Sequence, residues 1–179
     1  MMVTLEPLDV MRDRRQLVQF LTANAFPFHV HAGVTEEEVE RAIFAGRFTG
    51  DGVETHWVVD VPGERTGLVI FQDLADETAM LDLRIAEGRR GQGLGRAALR
   101  SAADWLFTHH AHVTRFEGNT RADNAAMRRT FTVCGWVQEA HYRQAWPVAG
   151  GPAADSVAYS ILRSDWRNGT VTPVPWDGR

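Results

Sequence analysis

Three glycines at alternating positions, Gly91, Gly93 and Gly95, separate a strand-like segment from the clearest helical segment of the chain. Residues 78–85, before them, alternate apolar and polar side chains, and residues 94–110, after them, repeat apolar side chains with a helical period. Glycine permits positive φ angles and lets another group approach the backbone closely. A strand, a glycine-rich loop and a helix N-terminus form an anion-binding arrangement, because the first helical amides lack an intrahelical partner and the helix dipole favours negative charge.

Three arginines, Arg89, Arg90 and Arg96, add positive charge to this loop. A diphosphate therefore fits the loop better than a neutral ligand does. Two common phosphate motifs are excluded, since the chain has no GxxxxGK(S/T) string and GQGLGR places Arg96 where a dinucleotide-binding fingerprint needs a third glycine. The loop also follows antiparallel hairpins in the middle of the chain, whereas that fingerprint belongs to a βαβ unit.

The rest of the chain predicts strands and helices in the order β-α-α-β-β-β-α-β-α-β-β. Hairpins fill the first half and helical crossovers surround the fourth and fifth strands, so we predict an α/β protein with a mixed sheet of the α+β type. We predict one domain over residues 1–179, with an irregular tail over 167–179 that is rich in Pro and Gly. The predicted strands and helices cover, in order, residues 3–8, 10–23, 35–48, 55–61, 65–73, 78–85, 94–110, 112–120, 123–135, 136–146 and 156–166.

Capping residues mark three of the predicted helix starts. Asp9 precedes the first helix, and Thr35 with Glu38 has the spacing of a capping box at the start of the second. Asp123 and Asn124 are alternative caps for the helix that follows the fifth strand.

Composition limits the classes of partner. The chain has 179 residues, 44% hydrophobic and 23% charged, and a net charge of −4, which argues against a general binder of nucleic acid or of an anionic membrane. The same charge mildly favours a cationic substrate. The lone cysteine, Cys134, excludes an internal disulfide, and we expect a reducing, cytoplasmic setting without a membrane span or signal peptide.

The string RRGQGLG matches the pattern (Q/R)-x-x-G-x-(G/A), with Arg90, Gly93 and Gly95 at the defining positions. Together with the order of strands and helices, this makes the chain resemble the GNAT acetyltransferase superfamily over about residues 3–166. Its last two strands, in residues 136–166, resemble the Rim-type branch, which acetylates protein N-termini, polyamines and some antibiotics. The resemblance implies about seven strands, about four helices and two central strands that splay apart.

The resemblance also implies that the chain binds acetyl-CoA as co-substrate. The pyrophosphate would lie on the loop and helix start, at Arg90, Gly91, Gln92, Gly93, Leu94, Gly95 and Arg96. The pantetheine would lie in the gap between the splayed strands, beside Leu83, Arg84 and Ile85, with Asn124 and Phe131 on the other side. In this family an amine attacks the thioester directly, without an acyl-enzyme.

Catalysis requires the amine to lose a proton, because an amine with a pKa near 10 is mostly protonated at neutral pH. Asp82 on the fourth strand and Glu117 on the fifth are the candidate bases; both carboxylates also fit a structural or solvated role. Many family members use a tyrosine to protonate the leaving thiolate, and the matching position here is Phe131, which carries no proton to donate.

The resemblance places the acceptor beneath the first two helices, where Phe28 and His29 lie, and beside a late strand that carries His141 and Arg143. We expect no metal site, because His29 and His31 are not followed by ligands at a recognisable spacing.

The expected activity is transfer of an acetyl group to a primary amine, either of a small molecule or of a protein N-terminus. The alternative is a CoA-binding module that has lost turnover. We expect a monomer or a homodimer, with no nucleic-acid or membrane partner.

Overall fold

The computed structural model describes residues 2–61 and 63–176. Within them, seven strands form one sheet and five α-helices pack around it. The strands are β1 Thr4–Pro7, β2 Glu54–Val61, β3 Glu64–Gln72, β4 Thr78–Ile85, β5 Arg115–Arg121, β6 Val137–Trp146 and β7 Ala154–Leu162. The helices are α1 Val10–Thr22, α2 Glu36–Phe44, α3 Leu94–His109, α4 Ala125–Val133 and α5 Arg163–Asn168.

The sheet is mixed, as the sequence predicts. Its strand order is β1-β2-β3-β4-β5-β7-β6, and among these neighbours only β4 and β5 run parallel. The parallel pair needs a crossover, which α3 supplies after a short 3-10 turn over Glu87–Arg89.

The sequence analysis missed one helix. The last strand, predicted over residues 156–166, ends at Leu162, and the chain then forms α5. Leu162 makes no side-chain capping bond, so no capping residue marks the helix start. The tail predicted to be irregular over 167–179 therefore begins inside a helix; its last residues, 177–179, lie outside the described part of the chain.

Capping residues lie where the sequence predicts them. Asp9 accepts hydrogen bonds at 3.0 Å from the amides of two residues in the first turn of α1. Thr35 and Glu38 form the predicted capping box, with the Glu38 amide 3.2 Å from Thr35 Oγ1 and the Thr35 amide 2.8 Å from Glu38 Oε2. Of the two alternatives for α4, Asn124 is the cap.

Helices cover the two faces of the sheet differently. One hydrophobic core packs α1 and α2 against β2 and β3, and a second packs α3 and α4 against the opposite face. Strand β4 contributes to both faces because its side chains alternate. Leu81, Leu83 and Ile85 point to the α3 side, and Asp82 and Arg84 point to the α1–α2 side.

Strands β4 and β5 splay apart, as expected. Within the described residues they pair from Thr78 to Leu81 and from Arg115 to Gly118, and no further. Beyond that point β4 stays paired with β3 as far as Ile85, and β5 stays paired with β7. The gap starts where the buried Phe131 ring lies against Gly118, so closely that an added Cβ would come within 2.6 Å of the ring.

Candidate active site

The glycine loop presents backbone amides without partners at the start of α3. Gly91 and Gly93 have φ angles of +75° and +87°, the left-handed region that glycine tolerates best. Gly93 is the N-cap and makes no side-chain capping bond. In the part of the chain that the structure describes, the amides of Leu94, Gly95 and Arg96 find no acceptor. These donors and the positive end of the helix dipole can bind an anion.

The space above the loop is open. A Cβ added at Gly91 or Gly95 would have no neighbour within 4 Å, so the backbone there is accessible to a ligand. Of the three arginines predicted to surround the loop, Arg89 forms ion pairs with Asp60 and Glu64. Arg89 therefore supports the fold rather than the site.

Arg90 joins the glycine loop to the segment between α1 and α2. Its Nε donates to the Ile85 carbonyl at 3.0 Å, its Nη2 donates to the Ala25 carbonyl, and its guanidinium lies 5.4 Å from the Phe26 ring centre. Arg96 makes no ion pair within the described residues, so its charge remains available to a ligand.

A cavity of about 680 Å³ lies at the gap between β4 and β5, on the side of α1 and α2. The α1–α2 segment, α2 and the loop after it form one wall, and the parted ends of β4 and β5 with α4 form the other. Seven predicted site residues line it: Phe28, His29, Asp82, Leu83, Arg84, Asn124 and Phe131.

Asp82 is the centre of an ionic cluster in this cavity. Arg84 binds both its oxygens, at 3.2 Å and 3.1 Å, and Arg47 binds one at 3.3 Å. Burial raises the pKa of Asp82, but the charge of Arg84, its hydrogen bonds to Asp82 and the charge of Arg47 outweigh burial and leave the pKa below its usual value. Asp82 is therefore ionised at neutral pH.

His29 lies beside Asp82, with 3.6 Å between His29 Nε2 and Asp82 Oδ1. Its ring stacks on Phe26. Burial and then the positive charge of Arg84 lower the pKa of His29 to about 4, so the imidazole is neutral at neutral pH. His29 Nε2 is buried and has no hydrogen-bond partner within the described residues.

Glu117 does not line the cavity. It binds Arg115, which also pairs with Glu139, and it accepts a hydrogen bond at 3.0 Å from Asn119 Nδ2. Asn119 does line the cavity, so Glu117 reaches the site only through that amide.

Other predicted residues lie apart from the cavity wall. His141 pairs with Asp155 at 2.7 Å on the exposed part of β6, and Arg143 is exposed two residues further on. The same strand instead contributes Trp146 to the cavity. Ile85 packs in the α3-side core.

The sequence analysis missed several cavity residues, Arg47, Trp146, Asn119 and Thr120 among them. Arg47 reaches Asp82 from the loop after α2, and Trp146 comes from the end of β6. Asn119 and Thr120 lie at the parted end of β5, and Thr120 Oγ1 accepts a hydrogen bond at 2.9 Å from Asn124. The parallel placement of β4 and β5 is the signal that would have identified Asn119 and Thr120, since residues beyond a predicted splay must face the gap.

A family model for the acetyltransferase (GNAT) domain matches residues 3–137. The chain belongs to the GNAT acetyltransferase family. It is an enzyme family that uses acetyl-CoA as acyl donor, and the unpartnered amides, the open glycine loop and the parted strands fit that co-substrate. A sequence search of curated proteins finds no match.

Solved GNAT structures share the fold of this chain. A chimera of the spermidine N-acetyltransferase SpeG from Vibrio cholerae and hSSAT superposes with a TM-score of 0.80 at 20% identity, covering 94% of this chain and 99% of that chain. The Vibrio cholerae enzyme in complex with CoA and spermine gives 0.75 at 20% identity, with 93% and 98% covered. At this identity the likeness shows the fold.

Phe131 is the residue that the sequence analysis matches to the family's tyrosine. Its ring is 1% exposed, stacks on Tyr159 with 5.0 Å between ring centres, and forms part of the cavity wall. The chain's two tyrosines, Tyr142 and Tyr159, do not line the cavity, and the Tyr159 hydroxyl donates to Gln138. Neither tyrosine hydroxyl therefore reaches the cavity.

The described residues contain no group of three or more His, Cys, Asp or Glu side chains arranged to hold a metal ion. Among the same residues, no helix has the length and apolar character needed to cross a membrane.

Proposed function

We propose that this GNAT enzyme transfers the acetyl group of acetyl-CoA to the primary amine of a small molecule. The observation that carries the proposal is the gap between β4 and β5, which links the unpartnered amides of the glycine loop to a cavity containing Asp82 and His29. A co-substrate anchored by its phosphates on the loop can reach the cavity only through such a gap.

In this proposal the backbone from Gly91 to Arg96, which includes Gln92, Gly93, Leu94 and Gly95, binds the pyrophosphate, and the Arg96 side chain adds charge. Arg90 holds the loop against the α1–α2 segment. Leu83, Arg84 and Ile85 would flank the pantetheine from β4, and Asn124 and Phe131 would flank it from α4.

The shape of the cavity favours a small acceptor over a protein N-terminus. The segment between α1 and α2 contacts the loop between β6 and β7, where the Ala149 amide donates to the Val30 carbonyl at 3.4 Å. His31 lines the cavity from the first of these segments, and Trp146 lines it from the end of β6, where the second segment begins. Together they narrow the opening through which a peptide chain would have to enter.

We propose His29 as the group that takes the proton from the amine, with Asp82 as its partner. The charge of Asp82 favours the tautomer with the proton on Nε2, which leaves Nδ1 to accept. The acceptor first loses its ammonium proton to solvent. As the resulting neutral amine attacks the thioester carbonyl, the C–N bond forms and the C–S bond breaks. The second proton on the nitrogen passes to His29, whose transient positive charge Asp82 stabilises, and His29 then gives it to solvent. The thiolate takes a proton from water, since neither tyrosine lines the cavity.

We further propose that residues 1–179 act as one catalytic domain, because strands from both ends of the described chain join one sheet. We also propose membership of the Rim-type branch, which the two long C-terminal strands β6 and β7 support. A second candidate function is a CoA-binding module without turnover. It is favoured by the phenylalanine at the tyrosine position and by the ion pairs that already occupy Asp82.

Release of free thiol from acetyl-CoA in the presence of a panel of primary amines tests the proposal. The panel contains amino acids, simple alkylamines, spermidine and short peptides. We expect thiol release with at least one small amine, and a mass increase of one acetyl group on that amine. Tight CoA binding by calorimetry without thiol release from any amine would instead favour the binding module.

A further inference from the structure

The charged side chains that line the cavity are mostly positive. Arg41, Arg47 and Arg84 face two acids, Glu38 and Asp82. This surplus contrasts with the whole chain, whose net charge is −4. The acceptor meets the local charges of the cavity at short range, where solvent screens them least.

Both acids in the cavity are already engaged. Asp82 receives two bonds from Arg84 and one from Arg47. Glu38 Oε2 accepts from the Thr35 amide at 2.8 Å and from the Thr35 hydroxyl at 3.2 Å, as part of the capping box. Asp82, the more buried of the two acids, is therefore not left to balance a second ammonium group on an acceptor, and Glu38 lies exposed at the start of α2.

The arginines, in contrast, keep donors available. Arg47 makes a single contact among the described residues, through Nη2, and 47% of its side chain is exposed. Arg84 uses Nε and Nη2 on Asp82, which leaves Nη1, and its guanidinium is held 5.2 Å from the Phe26 ring centre. Arg41 lies at the rim and pairs with Glu37 at 3.1 Å.

The arginines of the cavity also lie close enough to His29 to affect its ionisation. Burial lowers its pKa first, and the charges of Arg84, Arg47 and Arg90 lower it further, while Asp82 opposes them. A second positive group on an acceptor would meet the same repulsion beside these arginines.

We propose that the acceptor carries a carboxylate beside its primary amine, and that Arg47, backed by Arg84, binds this carboxylate. The class is that of amino acids and other short amino-carboxylates, and the inference rests on the function proposed above. Guanidinium groups bind carboxylates through paired, charge-assisted hydrogen bonds, which suits the unused donors. Polyamines are the wrong class, because their extra ammonium groups would lie unbalanced against the arginines.

Matched pairs of acceptors test the inference in the thiol-release assay with the full chain. Each amino acid is compared with the amine that has the same side chain and lacks the carboxylate. Spermidine is added as an acceptor that carries several ammonium groups. We expect kcat/KM to be roughly tenfold or more higher for the carboxylate member of a pair, the size expected for a charged hydrogen bond. Spermidine should be the poorest acceptor.

Two other outcomes overturn the inference in distinguishable ways. If kcat/KM for a decarboxylated amine or for spermidine equals or exceeds kcat/KM for the amino acids, the proposed acceptor class is refuted. The proposed acetyltransferase activity would remain supported. Absence of thiol release in every arm refutes the proposed activity together with the inference.

Substitution of Arg47 tests the assignment of the anion-binding residue. We expect Arg47→Gln to raise KM for the carboxylate acceptor roughly tenfold, because the guanidinium that binds the carboxylate is removed. The ratio of kcat/KM between the two members of a matched pair should fall towards one. Arg47→Lys should retain part of the preference for the carboxylate member of each pair. Calorimetric CoA affinity serves as the check that each variant is folded.

The control is Arg15→Gln, which removes an exposed arginine of α1 that makes no hydrogen bond or ion pair within the described residues. It lowers the net charge by the same amount and should leave the matched-pair ratio as in the parent protein. An unchanged matched-pair ratio of kcat/KM in Arg47→Gln, with CoA affinity retained, would show that Arg47 does not bind the carboxylate.

Discussion

The glycine loop, which follows β4, and the cavity beside β4 and β5 are built in different ways. The loop offers main-chain amides at Leu94, Gly95 and Arg96, so its chemistry follows from where glycines allow the backbone to turn. The cavity offers side chains that several separate segments bring together, such as Arg47 on Asp82. The loop therefore suits a ligand common to a whole family, and the cavity can change its acceptor by single substitutions.

The strongest test of this contrast is Asp82→Asn, which should damage turnover and spare the loop. We expect kcat to fall about 100-fold, within the range for loss of acid–base assistance, because the imidazolium of His29 would lose its counter-charge. The affinity for acetyl-CoA, measured by calorimetry, should stay as in the parent protein.

Glu117→Gln is the matched control, since Glu117 is also a strand carboxylate but does not line the cavity. Its kcat should remain within about threefold of the parent value, well below the usual effect of a catalytic acid or base. Near-normal kcat in both variants would remove carboxylate assistance from the mechanism.

Gly95→Leu should produce the converse result, with the loop damaged and the fold intact. Nothing lies within 4 Å of a Cβ at this position, so the side chain would fill the space left for phosphates. We expect the Kd for acetyl-CoA to rise tenfold or more, by roughly the loss of one charged hydrogen bond. The Tm should not fall, because leucine favours a helix by about 1 kcal/mol over glycine.

Gly151→Leu controls for the added bulk, since a Cβ there meets only the Val148 side chain at an ordinary 3.7 Å. It should leave the Kd for acetyl-CoA unchanged. An unchanged Kd in Gly95→Leu as well would mean that the phosphates bind elsewhere.

The smallest expected effect is the contribution of His29 to the dependence of stability on pH. The unfolded chain protonates His29 near its ordinary pKa of 6.5, whereas the folded protein does so only at about 4. Between these values the unfolded state binds more protons, so the free energy of unfolding falls as the pH falls.

His29→Gln should therefore shrink the loss of Tm between about pH 7 and about pH 5 by a few degrees. His141→Gln, which changes an exposed histidine outside the cavity, should not shrink it. Equal losses in the parent protein and in His29→Gln would contradict the buried, neutral state of His29.

The same contrast explains what the sequence could predict. Glycine spacing and alternation are local signals, so the loop, β4 and its two faces were predicted almost to the residue. Helix α5 was missed because the apolar pattern of β7 continues to Trp166 and no cap marks the break at Leu162.

The acceptor side could not be predicted in the same detail. Arg47 and Asp82 lie 35 residues apart and meet only through the fold. His141 and Arg143 were predicted as contacts, but only the end of β6, at Trp146, reaches the cavity. The net charge of the chain favoured a cationic acceptor, whereas the local arginines favour the opposite charge.

Because β4 and β5 separate, the sheet has two inner open edges, one on each of these strands, in addition to its outer edges on β1 and β6. An open edge exposes main-chain donors and acceptors that can pair with an extended strand from another molecule, which is a route to aggregation. A pantetheine chain lying between the two inner edges would cover them and stabilise the folded state by mass action. The concentration of the thioester carrier would then affect the lifetime of the folded enzyme as well as its rate of turnover.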